Sequence, residues 1–311
     1  MTSTQFSEFR DSLQGRDAKT VKAYVLALGS FASWLETQPG GSPFDAGKID
    51  TVAIDSYLAH LVNLRRSPHT QRLAVTALRC YGDWAVSQGM LSSNPARRVS
   101  LPPVEQMAPR ELTSEQRFAL KTLVKRDNSP RFSAIFALGY WTGLRISEIA
   151  TLRLEDVNVN QRSGSINVVD SKGGKNRQLD LHNESRRTLR EYLAMQERDL
   201  NSQHLFTSQR ATWLREQGKP DNLSPRGISY LWSKMKHNAP FQFHELIADV
   251  TMHDLRHDFA HRARQSGWTL EEIAVYLGHQ TQSGTPAIAT TVRYTLPSRK
   301  QLKRRLKTLA G

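Results

Sequence analysis

Residues 251–295 gather His253, Arg256, His279 and Tyr294 on what read as short elements, and these are groups that can hold and attack a phosphate. Cleaving a phosphodiester needs neutralised non-bridging oxygens, an aligned nucleophile and a proton for the departing oxygen. An arginine fork binds two oxygens at once and stays charged, which suits Arg256 and, upstream, Arg145 to the first task. A tyrosine has an ordinary pKa of about 10, so Tyr294 needs a positive pocket or a neighbouring base before it can attack. Taken singly, each residue has a plainer use: Tyr294 as a packed aromatic, Arg145 in a surface ion pair, His253 as a histidine satisfied at a helix start.

Metal chemistry is not expected. His257 and His261 follow His253 at steps of four, but zinc sites usually add cysteine or clustered carboxylates. The single cysteine, Cys80, is far off in the sequence and reads as a buried, inert thiol. His257 is better read as a buried neighbour of the phosphate-handling residues.

The elements that must position these groups can be read from caps and periodicity. Thr113-Ser114-Glu115-Gln116 forms a capping box before an apolar helix. A second helix with Phe132, Ile135, Phe136, Leu138 and Trp141 runs into Gly143, where it breaks. Ser147 and Glu148 start a short helix that puts Arg145 near its N-terminus, where free N–H groups favour anions. SINVV and RQLDL, within residues 165–181, read as two strands joined by a tight turn at Gly173-Gly174, with Lys172 and Lys175 flanking the tip. Asn183 is expected to cap one further helix, and Ser224-Pro225 to open another. A helix from about Met252 to Ser266 places His253 and Arg256, three apart, on one face. Thr269 and Glu272 box the next helix, which ends at Leu277-Gly278, and Ile288–Tyr294 reads as a last short helix.

The first hundred residues are helical in pattern. Val21, Tyr24, Leu28, Phe31, Trp34 and Leu35 mark one apolar stripe, ended by Pro39-Gly40-Gly41. Val52–Leu64 marks a second helix, and a third begins at Ser67-Pro68 and ends before Gly89. Arg65, Arg66, Arg72 and Arg79 stud this region and either meet phosphates or line a solvated face. Four prolines between Pro95 and Pro109 disfavour helix there. The domain boundaries follow: residues 1–98 as a helical domain, 99–110 as a linker and 111–311 as a second domain.

Lys and Arg total 43 against 29 Asp and Glu, a formal charge of +14 and a pI near 10.1, which favours a polyanionic partner. Nucleic acid is the first such partner and an anionic membrane surface the second. The excess is concentrated: residues 1–105 carry net +2 and the rest net +12. With no run of eighteen apolar residues and no secretory pattern at MTSTQFSEFR, a cytoplasmic location is expected.

Five blocks now stand in order: Thr142-Gly143-Leu144-Arg145-Ile146-Ser147-Glu148, Lys172-Gly173-Gly174-Lys175, His253-Asp254-Leu255-Arg256-His257, Leu277-Gly278-His279 and Thr290-Thr291-Val292-Arg293-Tyr294. Together they resemble the ordered motifs of the tyrosine recombinase (phage integrase) family. Thr20, Tyr24, Phe31, Trp34, Tyr81, Trp84 and Asn94-Pro95 resemble, less sharply, its N-terminal core-binding domain. The resemblance implies a mainly α fold: a helical core-binding domain plus an α-rich catalytic domain with a small antiparallel β-sheet, closing as a clamp on double-stranded DNA. It implies site-specific recombination through a 3′-phosphotyrosyl intermediate and conservative strand exchange, by a homotetramer on paired sites, with no cofactor, metal or ATP. Tyr294 would be the nucleophile, with Arg145 and Arg256 on the phosphate oxygens. Lys172 would be the acid for the leaving oxygen, with Lys175 on the DNA backbone. His253 would be base or hydrogen-bond partner, and His279 would complete the pocket. Type IB topoisomerase-like nicking and resealing, or DNA binding without chemistry, are the alternatives. One departure stands out: His279 and Tyr294 are 15 positions apart, about six more than the family pattern leads one to expect, with QTQSGTPA as the extra loop. The loop is either surface slack or a device that lets Tyr294 move. Tyr276 is the nearby competitor and reads as core.

Overall fold

Short polar residues ahead of apolar runs start the longer helices. The computed structural model describes residues 3–103, 111–169, 176–195, 199–279, 281 and 285–293. Asp17, Asp50 and Ser67 accept hydrogen bonds from the first backbone N–H groups of α2 (Ala18–Glu36), α3 (Thr51–Asn63) and α4 (Pro68–Ser87). Before them lies α1 (Ser3–Ser12), which the sequence pattern does not announce. Its Phe9 is fully buried, edge-on to Tyr81 at 5.2 Å between ring centroids. Together these helices enclose one apolar core that includes Leu28, Phe31, Ile54, Leu78 and Val99.

Two compact units make up the chain, Met1–Gln106 and Met107–Gly311. The N-terminal unit continues past residue 98: Val99 is buried in its core, and Arg72 Nη1 donates to Pro102 O at 2.9 Å. Residues 104–110 lie outside the described residues.

The second unit is mainly α with one small antiparallel sheet. Its elements run α5 (Ser114–Asp127), α6 (Pro130–Thr142), α7 (Ile146–Thr151), β1 (Val157–Val159), β2 (Gly164–Val169), β3 (Asn176–Asp180), α8 (Asn183–Leu193), α9 (Ala211–Glu216), α10 (Pro225–His237), α11 (Phe241–Ile247), α12 (Met252–Gln265), α13 (Leu270–Leu277) and α14 (Ile288–Arg293). Both expected strands form, and the short β1 joins them in the order β1-β2-β3, with Ile166 opposite Val157 on one side and Leu179 on the other. Ile166, Val168 and Leu179 are buried against the helices, as the two-residue strand period requires. Thr113 and Gln116 close the expected capping box, and so do Thr269 and Glu272. One cap differs. His182, not Asn183, caps α8, because its ring is stacked on Trp141 at 3.9 Å and its Nδ1 accepts from Glu184 N. No helix among the described residues is long and apolar enough to cross a membrane.

A buried carboxylate fastens the start of this unit to α12. Asp258, fully buried, accepts from Leu112 N at 3.2 Å, from Arg117 Nη2 at 2.7 Å and from Arg262 Nε at 2.9 Å. A buried ion needs such pairing, since an unpaired charge in low dielectric is costly. Arg262 also lies over the Tyr140 ring at 4.1 Å, tying α12 to α6.

Candidate active site

Gly143 ends α6 in the left-handed conformation, at φ 65°, and turns the chain so that Arg145 becomes the N-cap of α7. A side chain at Gly143 would force its neighbours to shift. A Cβ there would come within 2.8 Å of Leu277 Cδ2 and 2.9 Å of Phe259 Cδ1. The tight turn brings the Arg145 loop against α12 and α13, and the Gly143 carbonyl accepts from Arg256 Nη1 at 2.7 Å.

Glu148 is the hub of the pocket. It is buried on the first turn of α7 and accepts from Arg145 N at 2.8 Å and Arg145 Nη1 at 2.9 Å. Arg177 of β3 meets it through Nη1 and Nη2 at 3.1 Å, and Arg256 Nη1 lies 3.9 Å from its Oε2. Three guanidinium groups therefore share one carboxylate, leaving an excess of positive charge. This changes the expectation for Arg145: its backbone N–H is taken by Glu148 rather than left for an anion, while its guanidinium remains about a third exposed.

Arg256 is fully buried on α12. Besides Gly143 O, it donates through Nη2 to Leu277 O at 2.7 Å and contacts His279 Nε2 at 2.9 Å. A guanidinium has no acceptor, so this contact makes Nε2 the accepting, unprotonated nitrogen of His279. The other ring nitrogen, Nδ1, lies 3.0 Å from Thr291 Oγ1. Burial, followed by the charges of Arg256, Arg145 and Arg177 and the nearby His257, pushes the His279 pKa down to about 3.

His253 stands one helical turn before Arg256, edge to face with His257 at 4.5 Å. Its ring is open at the surface, yet enough of it is withdrawn from water that burial, then Arg256 and Arg145, lower its pKa. His257 is lowered further, to about 4, by burial and then by His253. All three histidines are thus held neutral near pH 7. A neutral His253 can accept a proton, and neutral neighbours leave the arginines to supply the charge.

The structure therefore brings Arg145, His253, Arg256 and His279 together. It adds Glu148, Arg177 and Thr291, whose roles periodicity does not reveal. In the sequence pattern Glu148 is the beginning of a helix, Arg177 part of a strand and Thr291 a residue of the last block. One signal for Arg177 lies in the strand pattern itself: it alternates onto the same side as Leu179, an inward position unusual for a charge. Lys172, Lys175 and Tyr294 lie outside the described residues.

Tyr276 is occupied elsewhere. Its ring stacks on Phe259 at 5.2 Å, its hydroxyl donates to Asp180 O at 3.3 Å, and burial followed by the Asp180 charge pushes its pKa up to about 12. It is held as a packed phenol, as its place in the apolar pattern suggests.

The loop after His279 leaves and returns at neighbouring points. Thr281 N donates to Thr285 O at 2.9 Å, the two threonine hydroxyls are 2.7 Å apart, and Ala287 N donates to His279 O at 2.7 Å. In the N-terminal unit, Arg65 and Arg66 are exposed at the α3–α4 turn. Arg79 instead donates to Ala96 O at 3.0 Å and Val99 O at 2.7 Å, so that it and Arg72 hold backbone within their own unit.

A mainly α unit whose arginines and histidine converge beside the short helix α14 defines a class, and residues 111–299 match the Phage integrase family. The chain belongs to that family. In particular, it is 30% identical over 281 residues, 89% of its length and 84% of the relative's, to tyrosine recombinase XerC of Pelobacter propionicus. Among solved structures it resembles XerH site-specific recombinase bound to a palindromic difH substrate in a post-cleavage complex, with a TM-score of 0.72 and 19% identity, covering 99% of this chain and 84% of that one. It also resembles a lambda integrase tetramer bound to a Holliday junction, with a TM-score of 0.66 and 15% identity, covering 92% and 76%. At these identities the structural likeness is one of fold.

Proposed function

We propose that this protein is a site-specific DNA recombinase that cuts and rejoins strands through a 3′-phosphotyrosyl intermediate. The observation that carries the reading is the convergence of Arg145, Arg256 and His279 on one positively charged pocket braced by Glu148, with the helix that leads to Tyr294 docked on its floor. Family membership and the XerC relative support it.

In this reading the Tyr294 oxygen attacks the scissile phosphorus, and the bond from phosphorus to the 5′-oxygen breaks. Lys172 gives that oxygen its proton, and neutral His253 takes or shares the tyrosine's proton. Arg145 contacts the non-bridging oxygens from the pocket mouth, Arg256 adds its charge from beneath, and His279 completes the pocket. A 5′-hydroxyl from a partner strand then attacks the phosphotyrosyl bond. One phosphodiester is exchanged for another, so the reaction consumes no ATP and uses no metal. The N-terminal unit, Met1–Gln106, acts as the core-binding domain and Met107–Gly311 as the catalytic domain, with four copies on two DNA sites, in keeping with the lambda integrase tetramer bound to a Holliday junction. Arg65, Arg66 and Lys175 contact DNA backbone.

The test is a nicked duplex built on a sequence that the protein itself selects from random duplexes, incubated in chelator. A covalent adduct that survives Tyr276→Phe and disappears in Tyr294→Phe is expected, as is transfer of the bound strand to a second duplex. An adduct that requires magnesium or persists in Tyr294→Phe overturns the assignment. Resealing without transfer overturns recombination in favour of topoisomerase-like chemistry.

A further inference from the structure

A directed hydrogen-bond chain links Arg256 to the helix that precedes Tyr294. Because the guanidinium can only donate, His279 Nε2 accepts at 2.9 Å. A neutral imidazole carries one N–H, which must then be Nδ1–H, 3.0 Å from Thr291 Oγ1. The Thr291 hydroxyl lies in turn 3.3 Å from Ala287 O, so it accepts from the ring and donates to its own helix. The arginine therefore sets the direction of every bond as far as α14. Thr291 is fully buried, and the main-chain bond from Ala287 N to His279 O holds the start of the same helix at 2.7 Å.

Two consequences follow from the chemistry of these groups. The Thr291 hydroxyl fixes where α14 sits along and around its axis, three residues before Tyr294 in sequence. It also stabilises the His279 tautomer that Arg256 selects, by accepting from Nδ1. When that hydroxyl is removed, the tautomer that Arg256 favours loses the Thr291 acceptor for its Nδ1–H, while the other tautomer sets an Nε2–H against the Arg256 N–H donor to donor.

We propose that Thr291 is a positioning residue for strand transfer: by accepting the Nδ1–H of His279 it ties the nucleophile's helix to the Arg256 guanidinium and keeps His279 Nε2 as the acceptor of the Arg256 N–H. The proposal rests on the recombinase reading. Its role is to align the nucleophile rather than to bind DNA, so its loss falls on the chemical step.

Thr291→Val keeps the shape and removes the hydroxyl, and Thr291→Ser keeps the hydroxyl. Three readouts separate positioning from a merely structural role: the adduct rate on a nicked duplex, the dissociation constant for that duplex, and the ¹⁵N shifts of the His279 imidazole. Thr291→Val should form adduct roughly 10- to 100-fold more slowly, as misplacement by about an ångström does. DNA affinity should stay within about twofold, and Thr291→Ser should recover most of the rate. In the wild type, Nδ1 should carry the proton and Nε2 should not. A wild-type His279 protonated at Nε2, a Thr291→Val enzyme that cleaves like wild type, or a Thr291→Ser enzyme as slow as Thr291→Val each overturns the proposal. A wild type that forms no adduct overturns the recombinase reading and the positioning role with it, while the tautomer measurement still tests the hydrogen-bond chain on its own.

Discussion

Lowering the pH from 7.5 to 5 should weaken the second unit through His279 and His257. Both are held neutral in the fold, at about 3 and about 4, by burial first and then by surrounding positive charge, including Arg256. In the unfolded chain each has an ordinary pKa of about 6.5. Between those values the unfolded chain binds protons that the folded chain refuses, so the stability they contribute is present above about pH 6.5 and is lost as the pH falls towards the folded values. At pH 5 the unfolded histidine is almost wholly protonated and the folded one almost wholly neutral, which corresponds to about 2 kcal/mol for His279. His257 is less completely buried and adds less than this. The loss is a large share of the 5–15 kcal/mol typical of folded domains. Urea unfolding followed through backbone amides of α12 and α13 at both pH values reads it directly. His279→Asn should start less stable at pH 7.5 but lose about 2 kcal/mol less on acidification. A His279 imidazole that titrates near 6.5 by NMR, or wild-type stability unchanged between the two pH values, would refute the reasoning.

Four other perturbations test separate parts of the structure. Glu148→Gln keeps the shape but removes the charge shared by Arg145, Arg177 and Arg256, and should cost about 3 kcal/mol in chemical denaturation. Gly143→Ala demands a left-handed alanine and a methyl group against Phe259 and Leu277, so a loss of about 2–4 kcal/mol is expected from the sum of strain and overpacking, measured by the same unfolding curves. Arg79→Met should destabilise the N-terminal unit by about 1–3 kcal/mol by stripping Ala96 O and Val99 O of their donor. Arg65→Ser with Arg66→Ser should leave stability within about 0.5 kcal/mol, yet make DNA binding less salt-dependent, by about one unit of slope for each phosphate that the pair neutralises.

What is legible in the chain is local. Thr113 with Gln116 and Thr269 with Glu272 announce helix starts because a capping box is complete within four residues. Gly143 and Gly278 announce helix ends for the same reason. The hairpin strands show in β-branched alternation, and the family blocks point to Arg145, Arg256 and His279 without any geometry. What escapes depends on distance in sequence. Arg177 reaches Glu148 across 29 positions and Arg256 reaches Gly143 across 113, and no periodicity records such pairings. The burial of Arg256 is equally hidden, because a charged residue inside a protein is set by the acceptors around it. The short helices α1, α9 and α11 escape too; at 10, 6 and 7 residues they are too short to show a sustained helical period and owe their form to tertiary contacts. From their type alone Arg72 and Arg79 read either as phosphate contacts or as a solvated face, whereas they donate to carbonyls up to thirty residues away.

The threonine clasp at the base of the loop after His279 makes distance along the chain a poor guide to distance in space. Since Thr281 and Thr285 meet, residues inserted between them should leave both ends in place. Closing a longer branch costs little, about 0.6 kcal/mol for each doubling. This makes the stretch between the two threonines a place to graft a peptide tag or a dye-bearing segment, and under the recombinase reading it is where residues can be added between His279 and Tyr294.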